Sequence, residues 1–199
     1  MKDSQSAERL LVKTLDNLFV QLVDKKELEG VLWFGIIGTW QITNDEVERD
    51  VRQAVQQIMA HGNCIVSGGV VGVDYFATEE ALRHDPSAQR IKIFLPIPLA
   101  QFATHFRQQA AEGVMVSEKV EQLIRQLEAL QWINPGAIIS NGHNKAADLR
   151  AYAARNTELV KFADALVAFQ VNDSLGTADT VTKALASGKL VYLKKYAIA

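Results

Sequence analysis

The sequence predicts an α/β fold in which a mostly parallel sheet lies between layers of helices. Apolar runs with the length and β-branched content of buried strands occur at 31–37, 64–67 and 89–95, and helical stretches separate them. Strands joined through helices pair in parallel by right-handed crossovers. The first two runs end in glycine next to a hydroxyl residue, and such a turn allows close approach to a ligand.

The composition is that of a single domain, 1–199, with a sizeable core. Of the 199 residues 48% are hydrophobic, and the net charge of −2 provides no general attraction to nucleic acid or to an anionic membrane. No segment approaches the ~20 apolar residues of a membrane span, and the charged N-terminus does not resemble a signal peptide. We therefore expect a cytoplasmic protein. No metal-ligand cluster occurs, and the single cysteine, Cys64, is interpreted as a buried core thiol.

One helix is expected before the first strand in the sequence, and another is expected after it. Residues 7–23 carry one apolar face and are expected to form an amphipathic N-terminal helix. The residues of this face are Leu11, Leu15, Leu18, Phe19 and Leu22. The face is expected either to pack on the edge of the sheet or to form a homodimer contact. The next helix is predicted to begin at Thr43 or Asn44 and to end at His61.

The remainder of the chain returns twice to the strand-and-helix pattern. We predict helices over 73–83, 146–162 and 178–187, and strands over 165–169 and 190–193. Residues 99–149 contain two amphipathic helices and are longer than one crossover needs, so we interpret them as a helical insertion packed beside or over a ligand crevice. The polar stretch 140–144, which contains Gly142 and His143, is interpreted as a loop.

Three loops are expected to meet at the carboxyl edge of the sheet, namely Gly38-Thr39, Ser67 to Asp74 and Ser174 to Thr177. Because glycine permits close backbone approach, and N–H and hydroxyl groups donate hydrogen bonds, these loops predict a phosphate-bearing small molecule as the ligand. The chain has neither a phosphate loop with its lysine nor the G-x-G-x-x-G spacing, which disfavours ATP hydrolysis and NAD chemistry. The candidate ligand-binding residues in these loops are Gly38, Thr39, Ser67, Gly68, Gly69, Gly72, Asp74, Gly176 and Thr177.

Asp74 has two interpretations from its position in the first turn of the helix after the glycine loop. Its carboxylate either caps that helix, or it binds a ribose hydroxyl or organises the loop. His105 is a further candidate, because the inserted helix that carries it can lean over the crevice; a partly buried structural histidine is the alternative.

Several of these stretches together resemble the SLOG superfamily. They are Ile36 to Thr39, Ile65 to Asp74 with Ala77, Arg155-Asn156, Ala163 to Ala165, and Gly176-Thr177 with Thr180 and Ala184. The superfamily unites DNA-processing protein A, the "lonely guy" phosphoribohydrolases and molybdenum-cofactor carrier proteins. The resemblance implies a Rossmann-like domain, and it implies that Arg155 and Asn156 contact a phosphate or nucleotide. The guanidinium fork of Arg155 suits such a contact; an exposed helix arginine is the alternative.

Two departures separate the chain from particular members of the superfamily. The phosphoribohydrolases resemble one another in a Pro-Gly-Gly-x-Gly-Thr-x-x-Glu motif, and here Thr180 stands at the position of its glutamate. Asp179 lies one residue earlier, which on a helix turns the carboxylate by about 100° away from that direction. DNA-processing proteins bind single strands in a basic groove, whereas this chain is slightly acidic.

We interpret the chain as a nucleotide or phosphorylated-nucleoside binding protein that acts as a sensor or carrier. Two alternatives remain open at this point. One is an enzyme acting at the ribose of a nucleotide with Asp74, Asp179 or His105 in place of the missing glutamate. The other is a protein similar to DNA-processing protein A that binds single-stranded DNA and recruits a recombinase. The sequence identifies no cofactor, and a homodimer is an expectation only.

Overall fold

The computed structural model describes residues 10–140 and 146–198. Residues 7–9 of the predicted N-terminal helix and most of the predicted polar loop, including Gly142 and His143, lie outside the described residues. The strands are β1 (Leu11–Val12), β2 (Trp33–Gly38), β3 (Cys64–Ser67), β4 (Ile91–Leu95), β5 (Ile138–Ser140), β6 (Ala165–Val171) and β7 (Leu190–Tyr196). The helices are α1 (Leu15–Gln21), α2 (Val23–Glu29), α3 (Asp45–Ala60), α4 (Val73–His84), α5 (Leu99–Ala111), α6 (Ser117–Ile133), α7 (Leu149–Phe162) and α8 (Leu175–Ala186).

The strands form one sheet in the order β1-β7-β6-β2-β3-β4-β5, and every neighbouring pair is parallel. From β2 the chain adds β3, β4 and β5 on one side, and it then returns to the other side of β2 to add β6 and β7. The predicted α/β fold with a parallel sheet is therefore confirmed. The order in which strands are added to the sheet thus reverses between β2 and β6, which remain parallel. Sheets of this class form ligand crevices at such a switch point.

The alternation of side chains along the central strands builds a core on each face of the sheet. In β2, Phe34 and Ile36 join the larger core, whereas Ile37 joins the smaller one. The larger core lies under helices α1 and α3 to α6, and the smaller core lies under α7 and α8. Because both faces are covered, the strands read as continuous apolar runs. The architecture has three layers.

The N-terminal segment differs from the predicted amphipathic helix. Leu11 lies in β1, which extends the sheet by pairing with β7, and two short helices follow in place of one long helix. Thr14 caps α1 through its side chain, which accepts a hydrogen bond from the Asn17 N–H. Leu15 and Leu18 are buried in the larger core, so the apolar face packs on the sheet. The predicted helix is therefore confirmed only from Leu15 onward, because the residues before it form β1 and its connection to α1.

The stretch 99–149 contains a strand that the sequence did not predict. After α5 and α6, residues Ile138–Ser140 form β5 and pair with β4 at the edge of the sheet. Because β5 has only three residues, it is too short to produce a recognisable apolar period. Helices α5 and α6 therefore connect two adjacent strands, and α5 also reaches the carboxyl edge of the sheet.

The predicted boundaries of α3 are correct, whereas α7 begins at Leu149, three residues after its predicted start, although the Asp148 side chain caps it. Asn44 caps α3 with a 3.0 Å hydrogen bond from the Val47 N–H, and His61 ends that helix. Helix α8 instead begins at Leu175, three residues before the predicted start, because Ser174 caps it without a side-chain hydrogen bond. Within the described residues, no helix combines the length and the apolar character that crossing a membrane requires.

Gly69 provides a test of the loop after β3. Its φ is +66°, and a Cβ there would lie 2.6 Å from Ile93 Cγ2. We expect Gly69→Ala to lower the free energy of unfolding by about 2–4 kcal/mol, from backbone strain and overpacking together. Urea unfolding followed by circular dichroism measures it. Gly176→Ala is the matched control, because a Cβ there meets no atom within 4 Å. Equal stability of the two variants would contradict this account of the loop.

Candidate functional site

A cavity of about 730 Å³ opens at the carboxyl edge of the sheet, at the reversal between β2 and β6. Its walls come from the end of β2, the start of α4, the middle of α5, the N-terminal half of α7 and the start of α8. Six of the eleven candidate ligand-binding residues line it, and His105 lines it as well. The six are Gly38, Asp74, Arg155, Asn156, Gly176 and Thr177. The three loops therefore lie around one cavity.

The other five candidate residues lie outside the cavity lining. Thr39 is buried and connects the end of β2 to β6, since its hydroxyl accepts a 2.9 Å hydrogen bond from the Val171 N–H. Ser67 is buried at the end of β3. Gly68 and Gly69 lie behind the cavity wall, and Gly72 lines a neighbouring groove. A direct ligand contact of these five residues remains a prediction.

Most of the glycines at this edge have a packing reason to lack a side chain. A Cβ on Gly38 would lie 2.5 Å from Val73 Cγ2, and one on Gly72, whose φ is +81°, would lie 2.8 Å from the Thr39 carbonyl oxygen. Gly176 differs, because the space beside it is open. The glycine pattern located the edge of the sheet correctly, but close packing of the loops explains most of it without a ligand.

Arg155 and Asp74 form a buried ion pair in the wall of the cavity. Arg155 Nη1 lies 3.9 Å from Asp74 Oδ2, and the side chains of Arg155 and Asp74 are only 8% and 4% exposed. Gly68 makes this pair possible, since a Cβ there would lie 1.2 Å from Arg155 Nη1. Asp74 also accepts a 3.4 Å hydrogen bond from the Val70 N–H, so it organises the glycine loop. The structure therefore supports the interpretation that Asp74 organises the loop. It does not support a cap, because the N-cap of α4 is Gly72 and no side chain caps this helix by a hydrogen bond. A contact of Asp74 with a ribose remains a prediction.

The pair is incompletely satisfied. Arg155 Nε is buried and has no hydrogen-bond partner among the described residues. The Ser67 hydroxyl is close enough to Asp74 to favour its charged form, but it makes no hydrogen bond of normal geometry to the described residues. Buried polar groups in native proteins usually have partners, so this donor in the wall of the cavity is an exception that needs an explanation.

Burial dominates the titration of both groups. It raises the pKa of Asp74 to about 6, and the charge of Arg155 and the N–H groups of Val70 and Gly68 oppose this rise. Burial also lowers the pKa of the Arg155 guanidinium, against the influence of Asp74 and Tyr152. A carboxyl group that titrates near neutrality makes the charge of the cavity sensitive to pH.

The cavity also contains aromatic side chains that the sequence analysis did not select. Tyr152 lies one helical turn before Arg155, and the guanidinium carbon is 5.6 Å from its ring centroid. Trp40 and Phe106 line the cavity as well. The spacing of Tyr152 and Arg155 in α7 is a signal that could have identified the first of these, because residues three apart share a helix face. Nothing in the sequence places Phe106 here, since it lies on another element.

The residues considered for hydrolysis differ in their positions. Asp179 points to solvent and pairs with Lys183 at 2.6 Å, so it does not replace the missing glutamate in the cavity. Thr180 lines the cavity, but its hydroxyl donates to the Gly176 carbonyl oxygen at 2.9 Å. His105 lines the opposite wall. The residues that the structure describes contain no group of three or more His, Cys, Asp or Glu placed to hold a metal ion.

The raised pKa of Asp74 predicts a pH-dependent effect of Asp74→Asn on stability. Because the folded-state pKa is above the unfolded value, wild-type Asp74 contributes full stability below about pH 4 and loses it as the pH rises through about 6. The stability of the variant relative to wild type should therefore rise by on the order of 1–3 kcal/mol between pH 4 and pH 7. Urea unfolding at several pH values measures the difference. A constant or falling difference would contradict the raised pKa.

The comparison with DNA processing protein A from Helicobacter pylori agrees with the fold, and a second match is weaker. DNA processing protein A from Helicobacter pylori, whose structure was described for its single-stranded DNA binding mode, is 20% identical, with a TM-score of 0.59 over 81% of this chain and 64% of that protein. DNA processing protein A from Streptococcus pneumoniae is 14% identical, with a TM-score of 0.48 over 83% of this chain and 59% of that protein. This chain thus spans less than two thirds of the length of either protein.

The sequence comparisons concern the family. No curated protein matches the chain. The family model for DNA recombination-mediator protein A matches residues 19–198, which include β2 to β7 and every described element around the cavity. This match agrees with the resemblance to DNA-processing protein A in the glycine loop and in the Arg155 region. The chain therefore belongs to the DNA recombination-mediator protein A family.

Proposed function

We propose that this protein binds single-stranded DNA and that Arg155 holds one phosphate of the strand in the cavity. The observation that carries the proposal is the buried guanidinium, whose single carboxylate partner lies at 3.9 Å and whose Nε has no partner among the described residues. Phosphate oxygens are strong acceptors and suit the geometry of a guanidinium. The family supports the proposal, since the Helicobacter pylori protein is described as binding single-stranded DNA.

The surroundings of Arg155 fit a phosphate and its base. Helix α8 begins at the cavity, after Ser174, and helix α4 begins beside it, after Gly72. Neither cap makes a side-chain hydrogen bond. Their N-termini add positive potential to that of the arginine. Trp40 and Tyr152, which are partly exposed, offer aromatic surface on which a base can stack without sequence preference. These local groups, and not a positive charge over the whole protein, are the reason for proposing a nucleic-acid ligand.

The charge distribution limits how many phosphates the protein contacts. Arg83 and Arg107 are paired with glutamates, and Arg90 donates to backbone carbonyl oxygens. Among the described residues that line the cavity, Arg155 alone is cationic. We therefore propose a mode in which one or two phosphates are neutralised. In this mode the logarithm of the affinity falls with the logarithm of the salt concentration with a slope of about −0.7 to −1.4.

Binding of a fluorescein-labelled oligothymidylate, followed by anisotropy at several salt concentrations, tests the proposal. The double variant Asp74→Asn/Arg155→Gln removes both buried charges together, so no unpaired charge is left. We expect at least a tenfold loss of affinity, because a charge-assisted hydrogen bond is removed. The variant Asp179→Asn/Lys183→Gln is the matched control, since it removes an exposed ion pair on α8 and leaves the net charge equal. Equal losses in the two double variants would overturn the role of Arg155.

A second candidate function is the binding of a free nucleotide or phosphorylated nucleoside, as a sensor or carrier. The observation that favours it is the cavity itself, because about 730 Å³ lies within the range of small-molecule sites. Thermal unfolding with a panel of nucleoside monophosphates tests it, since a ligand that prefers the folded state raises the Tm. A monophosphate that binds as tightly as the oligonucleotide and displaces it would favour this second function.

A further inference from the structure

A second concave surface lies directly beside the cavity. This surface, the α4–α6 groove, has a volume of about 360 Å³ and lies between the start of α4, the start of α6 and the segments after β2 and before α6. The two concave surfaces share a wall formed by Trp40, Gln41, Val114 and Met115. A ligand that fills the cavity and extends past this wall enters the α4–α6 groove.

We propose that the α4–α6 groove binds the nucleotide adjacent to the one whose phosphate is held by Arg155. This inference rests on the proposed function and adds a second subsite to it. The base of the second nucleotide lies against Tyr75 and the shared Trp40, and its phosphate contacts Lys119. The occupant is therefore a single strand of at least two nucleotides.

The side chains of the groove suit a base and a phosphate. Tyr75 and Phe76 are half-buried on the first turn of α4, with ring centroids 6.0 Å apart in an edge-to-face arrangement. Lys119 lies on the first turn of α6, is exposed, and forms no ion pair with the described residues. A lysine without a carboxylate partner has its full charge available to a phosphate.

The carboxylate beside Tyr75 already has cationic partners. Glu79 accepts a 3.2 Å hydrogen bond from the Tyr75 hydroxyl, but it also pairs with Arg52 and Arg83. These two arginines hold the pKa of Glu79 below its usual range, against the effect of burial. The negative charge beside Tyr75 is therefore compensated within α3 and α4. The hydroxyl is occupied by Glu79, so the ring of Tyr75 and not its oxygen is the part offered to a ligand.

Continuity with the cavity decides between a nucleotide and other occupants. An isolated apolar groove could take many ligands, but this one begins where the cavity ends, and its cation lies beyond the shared wall. A chain with anionic groups and aromatic bases at regular intervals matches the series Arg155, aromatic wall, Tyr75 and Lys119. Single-stranded DNA has this pattern.

Calorimetric titration with 5′-phosphorylated thymidine oligomers of one, two and three nucleotides tests the second subsite. We expect the dinucleotide to bind at least fivefold more tightly than the mononucleotide, because stacking a second base adds roughly 1–3 kcal/mol. Lys119→Gln should weaken the dinucleotide about three- to tenfold and leave the mononucleotide unchanged, and it should reduce the salt slope by about 0.7. Tyr75→Leu should act similarly, whereas Tyr75→Phe, which keeps the ring, should retain binding.

Lys161→Gln is the matched control, because Lys161 lies in the last turn of α7, at the end of the helix away from the cavity. Equal affinity for one and two nucleotides, or an equal effect of Lys119→Gln on both, would overturn the second subsite and leave the proposed function standing. Binding of none of the oligomers would overturn the second subsite and the proposed function together. The exposed position of Lys119 keeps this test independent of folding.

Discussion

The interaction on which the site depends is the buried ion pair between Asp74 and Arg155. Asp74 is on α4, which covers one face of the sheet, and Arg155 is on α7, which covers the other. The pair therefore connects the two helical layers across the carboxyl end of β3. Gly68 lies between the partners, since a Cβ there would lie 1.2 Å from Arg155 Nη1 and 2.8 Å from Asp74 Oδ2. A residue with any side chain at this position excludes the pair.

A buried ion pair contributes little to stability when its desolvation is incompletely offset, so its retention in a protein has to be explained by another property. Here the geometry leaves the guanidinium with a free Nε next to a cavity. The parallel sheet supplies the cavity, because the reversal of the chain between β2 and β6 separates the loops that follow these strands. Residues from the first turns of α4 and α8 line the same cavity as the arginine. One phosphate is the ligand feature that we propose for these groups.

Family membership and overall charge suggest different partners, and local structure reconciles them. The family model is that of DNA recombination-mediator protein A, whereas the net charge of −2 is unfavourable for a general nucleic-acid surface. Arg83 and Arg107 are paired with glutamates, and Arg90 donates to carbonyl oxygens, so these arginines do not form a free basic surface. Recognition is therefore proposed to depend on few cations in concave, aromatic-lined positions. Such a surface holds a strand by stacking and by a small number of phosphate contacts.

The sequence by itself determined the features that depend on local pattern. The apolar runs identified β2, β3, β4, β6 and β7, and capping residues identified the start of α3, because strand burial and helix capping are properties of neighbouring residues. The glycine loops identified the edge of the sheet at which the cavity lies. The sequence pattern also indicated the superfamily, since each of its motifs is a short contiguous stretch, but it left the DNA-processing protein A family as an alternative.

Tertiary structure alone decided the rest, because it depends on residues far apart in the chain. The pairing of Asp74 with Arg155 joins residues on different helices, and no local period indicates it. The edge strands β1 and β5 are two and three residues long, and only pairing with a neighbour makes them strands. The sequence also did not show why Gly38 and Gly72 are glycines. A Cβ at either position would lie within 3 Å of an atom from another segment, and only the folded structure brings that atom there. Local pattern identifies a loop, and only packing determines what the loop contacts.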